Sequence, residues 1–463
     1  MTSETFRDAI STVDNKGERV WIYPKKPSGR FHRARAVVAA FLILFLIAAP
    51  LIKVNNQPLL LFNILERKFV LFGLAFGPHD FHIFVVGFIA LIIFIVLFTA
   101  IYGRLFCGWI CPQTVFMEMV FRKIEYLIEG DANKQKILDK SAWNKEKIIK
   151  KTAKHLIFFT IAFFISNLFL AYIIGVEELF NYVTHPPAEH FATFVAVLGF
   201  AGVFYFIFAR FREQACVIVC PYGRLQGVLL DENSLAVAYD FVRGEPRGKL
   251  KRDAARTEGD CINCYLCVHV CPTGIDIRNG IQLECVNCTA CIDACYEVMD
   301  KINKPRGLIR YDSLKGIKEK IRFKFTPRII SYSVLLLILL SVFMVLLLNR
   351  TDIDIKILRT PGMLYQDQPG DKISNLYNLN IVNKTFDELK ISFDVKELDA
   401  EVKIIGDEPT IKPQEKYESK FLLLLNKKDL SKLNTPIEIG IIENGKEIKT
   451  VKTSFLSHVG VSK

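Results

Sequence analysis

The stretch FHIFVVGFIALIIFIVLFTAIY, Phe81–Tyr102, contains no Asp, Glu, Lys or Arg, and Cys107-Gly-Trp-Ile-Cys111-Pro112 follows almost at once. About 20 apolar residues cross the hydrocarbon core of a bilayer. Four more uncharged runs reach that scale: Ala36–Ile52, Leu156–Val176, Phe191–Ala209 and Ile329–Leu348. One such run can be a buried core helix, but five predict a polytopic membrane protein. The first is not a cleavable signal, because 35 largely polar residues precede it and no small-residue cleavage site follows. With 463 residues, 51% hydrophobic and 23% charged, the chain is neither disordered nor collagen-like.

The net charge of +12 fits nucleic acid, an anionic membrane surface or neither, so its distribution decides. The segments between the runs carry 8, 3, 11, 0 and 20 Lys+Arg in order, and residues 349–463 carry 18 against 18 acidic residues. By the positive-inside rule the amino terminus, 103–155 and 210–328 face the cytoplasm, and five crossings put the carboxy-terminal segment in the periplasm. The three inner segments sum to +14, so the excess is an orientation signal and calls for no nucleic-acid partner.

Residues 350–463 alternate in polarity. Asn380–Val382, Leu389–Val395, Glu401–Ile405 and Ile437–Ile442 read as strands, and Glu443-Asn444-Gly445-Lys446 as a hairpin turn. Asp354–Gly370, rich in turn formers, reads as a connection. The fold class expected is therefore a multi-domain membrane protein. It has a five-helix α transmembrane region, a cytoplasmic two-[4Fe–4S] ferredoxin-like domain and a C-terminal all-β immunoglobulin-like sandwich. The boundaries are 1–35, a cytoplasmic segment; 36–230, four membrane helices; 231–328, the ferredoxin domain; 329–348, the fifth helix; and 349–463, the periplasmic β domain.

The ferredoxin domain rests on two cysteine runs. Cys261, Cys264, Cys267 and Cys271-Pro272 match C-x2-C-x2-C-x3-C-P, and Cys285, Cys288, Cys291 and Cys295 repeat the spacing with Tyr296 in place of proline. Three closely spaced thiolates wrap one cubane while the fourth ligates its neighbour. That logic gives one [4Fe–4S] cluster to Cys261, Cys264, Cys267 and Cys295, and a second to Cys285, Cys288, Cys291 and Cys271. Zinc ribbons instead use widely separated C-x2-C pairs. The remaining cysteines form two C-x3-C-P pairs, Cys107/Cys111 and Cys216/Cys220, each following a span that runs inward. On one helix, i and i+4 share a face, so each pair can present two sulfurs together; each proline either ends that turn or opens the next helix. Four soft sulfurs suit Cu(I), zinc, a further cluster or a dithiol relay. The amphipathic run Val115–Ile128 is expected to lie along the membrane surface.

With these residues in view, the chain closely resembles the cytochrome c oxidase accessory protein family, CcoG, also called FixG or RdxA. The resemblance rests on Cys107–Cys111 with Pro-Gln-Thr, Cys216–Cys220 with Pro-Tyr-Gly-Arg, Arg243-Gly-Glu-Pro-Arg-Gly, both cluster motifs and Gly307-Leu-Ile-Arg-Tyr. It implies a homodimeric iron–sulfur protein of the bacterial inner membrane, surrounded by lipid, that takes electrons from a cytoplasmic donor and reduces Cu(II). The Cu(I) product would pass to a copper chaperone or to the assembly machinery of the cbb(3)-type oxidase. On that reading Cys107, Cys111, Cys216 and Cys220 are the copper contacts or the last relay. Two other classes compete: a module linking the quinone pool to a redox partner, and a non-enzymatic assembly scaffold. The spans offer no His pair for haem and no carboxylate to take up a quinol proton, which disfavours the first. His79, His82, His185 and His190 read as ordinary interfacial residues, and Met117 and Met119 as packing residues on different sides of a helix.

Overall fold

The computed structural model describes residues 11–458 except 15, 55–56, 65–67, 251–257, 322–323, 396–399, 407–409, 431 and 444–445. The expected hairpin turn at 443–446 falls in part on 444–445, outside the described residues. Among the described residues five helices are long and apolar enough to cross a membrane: Arg30–Ala48, Phe81–Tyr102, Lys145–Ile174, Phe191–Phe211 and Pro327–Leu348. They carry Phe41, Leu44, Phe88, Leu91, Phe164, Leu337 and Val345 on open faces, an apolar surface suited to lipid rather than water. This is a multi-pass membrane protein. The third span starts eleven residues before its apolar run, since Asn144 caps it by accepting from the Lys147 N–H at 2.8 Å.

By packing, the chain forms two compact units, Met1–Asn63 with Val85–Phe343, and Ile64–Phe84 with Met344–Lys463. The first holds all twelve cysteines. Its ferredoxin-like segment and its spans share one unit because the segment satisfies the end of the second span. The last carbonyls of a helix have no partner within it. Here the Ser234 hydroxyl donates to the Ala100 carbonyl at 2.8 Å, the Leu235 N–H to Ile101 at 2.8 Å, and the Tyr311 hydroxyl to Tyr102 at 2.9 Å. Strand Ala236–Tyr239 pairs antiparallel with Ile309–Asp312, closing that segment into a loop. Helix Ala290–Lys301 is tied to the first span by Asp293, whose carboxylate accepts from the N–H groups of Phe31 (3.1 Å) and His32 (2.8 Å). Gly29 is required there, since a Cβ would meet the Asp293 side chain at 2.3 Å.

The run 115–128 does not lie along a surface. Phe116–Phe121 forms a π-helical stretch whose rings pack on Phe158, Phe204 and Phe208 of the third and fourth spans. Its polar side is buried too. Arg122 pairs with Glu118 (2.5 Å), Glu125 with Arg212, and Lys154 with Glu129 (2.8 Å). Periodicity correctly marked two faces, and protein covers most of both, leaving Lys123 and Leu127 exposed. Met117 and Met119 are buried in separate apolar clusters, as their spacing predicts.

The second unit is a two-sheet sandwich. Its strands are β1 (Ile353–Arg359), β2 (Gln366–Gln368), β3 (Lys372–Asn383), β4 (Leu389–Val395), β5 (Ala400–Ile405), β6 (Thr410–Ile411), β7 (Lys416–Asn426), β8 (Asn434–Glu443) and β9 (Lys446–Leu456). One sheet runs β5-β7-β3-β1 with β2 beside β3, and the other β6-β4-β8-β9, all neighbours antiparallel. The expected connection at 354–370 contains an edge strand: Ile353, Ile355 and Ile357 alternate into the core, a pattern that the neighbouring turn formers obscured. Tyr377 stacks on Phe421 at 5.3 Å and donates across to the Ser454 carbonyl at 2.9 Å.

Asp80 anchors this unit. Buried, it accepts from Lys384 at 2.8 Å and from Arg350 at 3.0 Å. Burial pushes its carboxyl up, but those two hydrogen bonds outweigh it and hold the group below the ordinary carboxylate range. A depressed folded-state pKa stabilises above the unfolded value and is lost as pH falls through the folded one. Asp80→Asn should therefore cost about 3 kcal/mol. It should also remove part of the acid sensitivity below about pH 4. Pulse proteolysis of the full chain in urea at pH 3 to 7 reads both.

Candidate functional site

The repeated cysteine motif folds as a repeated backbone. In each, the Asn after the first cysteine and the residue after the second take left-handed φ: Asn263 (57°) and Tyr265 (58°), then Asn287 (53°) and Thr289 (64°). Asn tolerates that region best among side-chain-bearing residues. Tyr265 and Thr289 then lead into the helices Leu266–His269 and Ala290–Lys301, which turn the third cysteine of each set inward. Arg278 fastens the first loop. It pairs with Asp276 through two bonds (2.8 and 2.6 Å), donates to Asn263 Oδ1 at 2.6 Å, and lies over the Tyr265 ring.

Two small cavities result. One is lined by Cys261, Cys264, Cys267 and Cys295; the other by Cys271, Cys285, Cys288 and Cys291, and Cys267 lines both. The structure thus gathers the eight cysteines into two interleaved groups of four, each borrowing one residue from the other motif. Burial pushes the thiols up, Cys267, Cys285 and Cys295 to about 12 and Cys288 to about 11. Thiols held neutral in apolar surroundings are poor ligands until iron displaces their protons. Among the described residues no three His, Cys, Asp or Glu close on a single metal-ion position. A cubane has no such need, because each thiolate binds a different iron. The donor set fits [4Fe–4S] clusters.

The C-x3-C-P pairs converge beside the second cavity. Neither pair occupies one continuous helix as the i, i+4 reading expects. Cys107 sits in helix Leu105–Trp109 and Cys216 in the π turn Ala215–Val219, whereas Cys111 and Cys220 are the extended residues before Pro112 and Pro221. The cause is steric, since proline drives the preceding residue out of the helical region. Each proline opens the next helix. The Cys107 thiol donates to Gln226 Oε1 at 3.0 Å, and Arg104 donates to the same oxygen at 3.2 Å. Gly223 admits Arg104, because a Cβ would lie 2.6 Å from its guanidinium and 3.0 Å from the Cys216 carbonyl. Burial pushes Cys107 up to about 11 and Cys216 to about 12, with the other thiols of the two pairs adding to the shift. Cys107 shares a buried cluster with Cys288, and a Cβ on Gly108 would meet the Val286 carbonyl at 2.4 Å.

Sequence reasoning missed Gln226, Arg104, Thr99 and Arg35, which are polar yet buried in this junction. Arg104 and Gln226 adjoin the cysteine motifs, which was their only signal; Thr99 and Arg35 carried none. Of the interfacial histidines, His82 is exposed, His185 hydrogen-bonds the Asn181 carbonyl at 2.8 Å, and His190 packs on Tyr182.

Against known proteins, the chain is 34% identical over 381 residues to Protein RdxA of Cereibacter sphaeroides, covering 79% of this chain and 80% of that protein. The chain belongs to the RdxA/FixG family. Protein RdxB of the same organism is 35% identical, covering 78% of this chain and 79% of that protein. Nitrogen fixation protein FixG of Rhizobium meliloti is 36% identical over 63% of this chain and 57% of that protein. Residues 211–314 match the 4Fe-4S dicluster domain, 84–129 the 4Fe-4S binding domain, and 343–458 the IG-like fold at the C-terminal of FixG. A crystal structure of a FixG-related protein from Vibrio parahaemolyticus aligns with 24% of this chain and all of its own, at 21% identity and TM-score 0.20. Within the RdxA/FixG family, then, the chain is a multi-pass iron–sulfur electron-transfer protein of oxidoreductase type, with an immunoglobulin-like C-terminal domain.

The contact at Gly108 is testable. Gly108→Ala should force helix Leu105–Trp109 off the 286–287 loop and lower the iron and sulfide content of the anaerobically purified protein. Gly199→Ala, in open space on the fourth span, should leave both unchanged.

Proposed function

We propose that the protein is a membrane-bound cupric reductase that supplies Cu(I) for assembly of a cbb(3)-type cytochrome c oxidase. On this reading it lies in the bacterial inner membrane as a homodimer, with its cysteines on the cytoplasmic side and the β unit in the periplasm. Cys261, Cys264, Cys267 and Cys295 would hold one [4Fe–4S] cluster, and Cys271, Cys285, Cys288 and Cys291 the other. When bound, these clusters supply one-electron carriers filled by a cytoplasmic donor.

The observation that carries the proposal is the seating of Cys107 and Gly108 against the loop of Cys285 and Cys288. Cys107 packs with Cys288, and Cys111, Cys216 and Cys220 are close enough to Cys107 to interact electrostatically with it or with one another, which supports a route from the second cluster to these thiols. Copper is the substrate: Cu(II) takes up one electron and becomes Cu(I), which thiolates favour over Cu(II). Two sulfurs suffice to hold Cu(I) in transient contact. Gln226 and Arg104 orient the Cys107 sulfur, and the thiol protons leave as the metal binds.

Adding Cu(II) to the pre-reduced protein should reoxidise the clusters, followed by absorbance and EPR. Cys107→Ser/Cys216→Ser should slow that step at least about tenfold, the cost of losing about 1.4 kcal/mol or more. Iron content should not change. Full activity in the double variant would remove the thiols from the path.

The pH dependence has a definite sign. Thiols near 11 and 12 are protonated at neutral pH, and the metal needs thiolate. Apparent Cu(I) affinity should therefore rise with pH, about tenfold per unit for each thiol that must ionise. Competition against a Cu(I) chelator at pH 6, 7 and 8 measures the slope.

A further inference from the structure

Where the N-terminal segment, the start of the first span and helix Arg122–Ile128 meet, the first unit encloses a cavity of about 210 Å³. Its ionisable lining is Lys26, His32, Arg35, Lys123 and Glu118; burial and the neighbouring Arg35 and Lys123 hold His32 below the ordinary histidine range, so it adds no charge at neutral pH. Glu118 is already paired with the fully buried Arg122, so the lining presents three unneutralised cations. The decisive group is Arg35, only 3% exposed. Its Nε donates to the Gly108 carbonyl at 2.6 Å, while its buried Nη2 has no hydrogen-bond partner. A buried guanidinium nitrogen left unpaired costs free energy that an anion in the cavity would recover.

We propose that this cavity binds a phosphate group, received by Arg35 from below and by Lys26 and Lys123 from the open side. Guanidinium geometry matches two phosphate oxygens at once, and the two lysines add charge without fixed direction. The cavity stands at the charged end of the first span. Its apolar wall is Met119 with the exposed Leu127 at the rim, a combination that suits a headgroup whose chains run alongside the helix. An anionic phospholipid and free phosphate share this chemistry, and the two can be told apart.

The test uses the full-length, cluster-loaded protein in discs of phosphatidylcholine, of phosphatidylcholine with phosphatidylglycerol, and of phosphatidylcholine with added inorganic phosphate. A rise of about 3 °C or more in the unfolding midpoint is expected with at least one addition. A rise with phosphatidylglycerol alone assigns the site to a lipid headgroup; a rise with inorganic phosphate assigns it to the free ion. Lys26→Gln/Lys123→Gln should abolish the rise, with unchanged iron content showing that the variant is folded. Lys136→Gln/Lys140→Gln, exposed lysines elsewhere, should retain it. No rise with either addition overturns the proposal, as does a rise that survives in the first double variant. Equal loss in both double variants would mean diffuse surface attraction and overturns it as well.

Discussion

Everything on the redox side of the molecule depends on one steric allowance, the missing side chain at Gly108. Its α-carbon lies so close to the Val286 carbonyl that any Cβ would overlap it. That approach lets helix Leu105–Trp109 sit on the second cysteine loop and brings Cys107 into the same apolar cluster as Cys288. It also turns the Gly108 carbonyl toward Arg35, linking the start of the first span to the first thiol pair. A contact between backbones cannot be re-aimed by rotamer changes, so it fixes the junction more rigidly than side-chain packing would.

Much of this was legible in the sequence, and the reasons differ by element. The spans were readable because a bilayer demands length and apolarity together, and the second span begins and ends where its uncharged run does. The gathering of the eight cysteines around two cavities was readable because their spacing is short, regular and repeated. Of the two roles the sequence allows each proline, the structure takes the second: Pro112 and Pro221 open new helices and push Cys111 and Cys220 into extended conformations, so neither pair shares one helix.

The elements that stayed hidden share a different cause. Val115–Ile128 looked like a surface helix because its polar face carries Glu118, Arg122 and Glu125, and such residues are seldom buried alone. Their partners, Arg212, Glu213 and Lys154, come from segments far along the chain, and no local pattern reveals a pairing of that range. The same holds for Gln226, fully buried between Cys107, Arg104 and Thr99. In the β unit the first strand was masked by proximity, because Ile353, Ile355 and Ile357 adjoin a turn-rich stretch.

These long-range pairings also change the meaning of the charge distribution. Segments 1–35, 103–155 and 210–328 carry an excess of +14, the sign that the positive-inside rule expects of segments facing the cytoplasm. Orientation does not require that any of those charges be buried, yet Arg35, Arg122, Lys154 and Arg212 all are. Three of them are matched by acidic residues, Glu118, Glu125, Glu129 and Glu213, so that part of the charge stitches the run 115–128 to the third and fourth spans. Arg35 has no acidic partner within salt-bridge distance among the described residues, and it stands next to Lys26 and Lys123. A buried cation is stable only when something answers its charge. The excess therefore divides into exposed charge, paired charge that locks the helices, and at Arg35 a buried cation that acts on the Cys288 thiol on one side and lines the proposed phosphate site on the other.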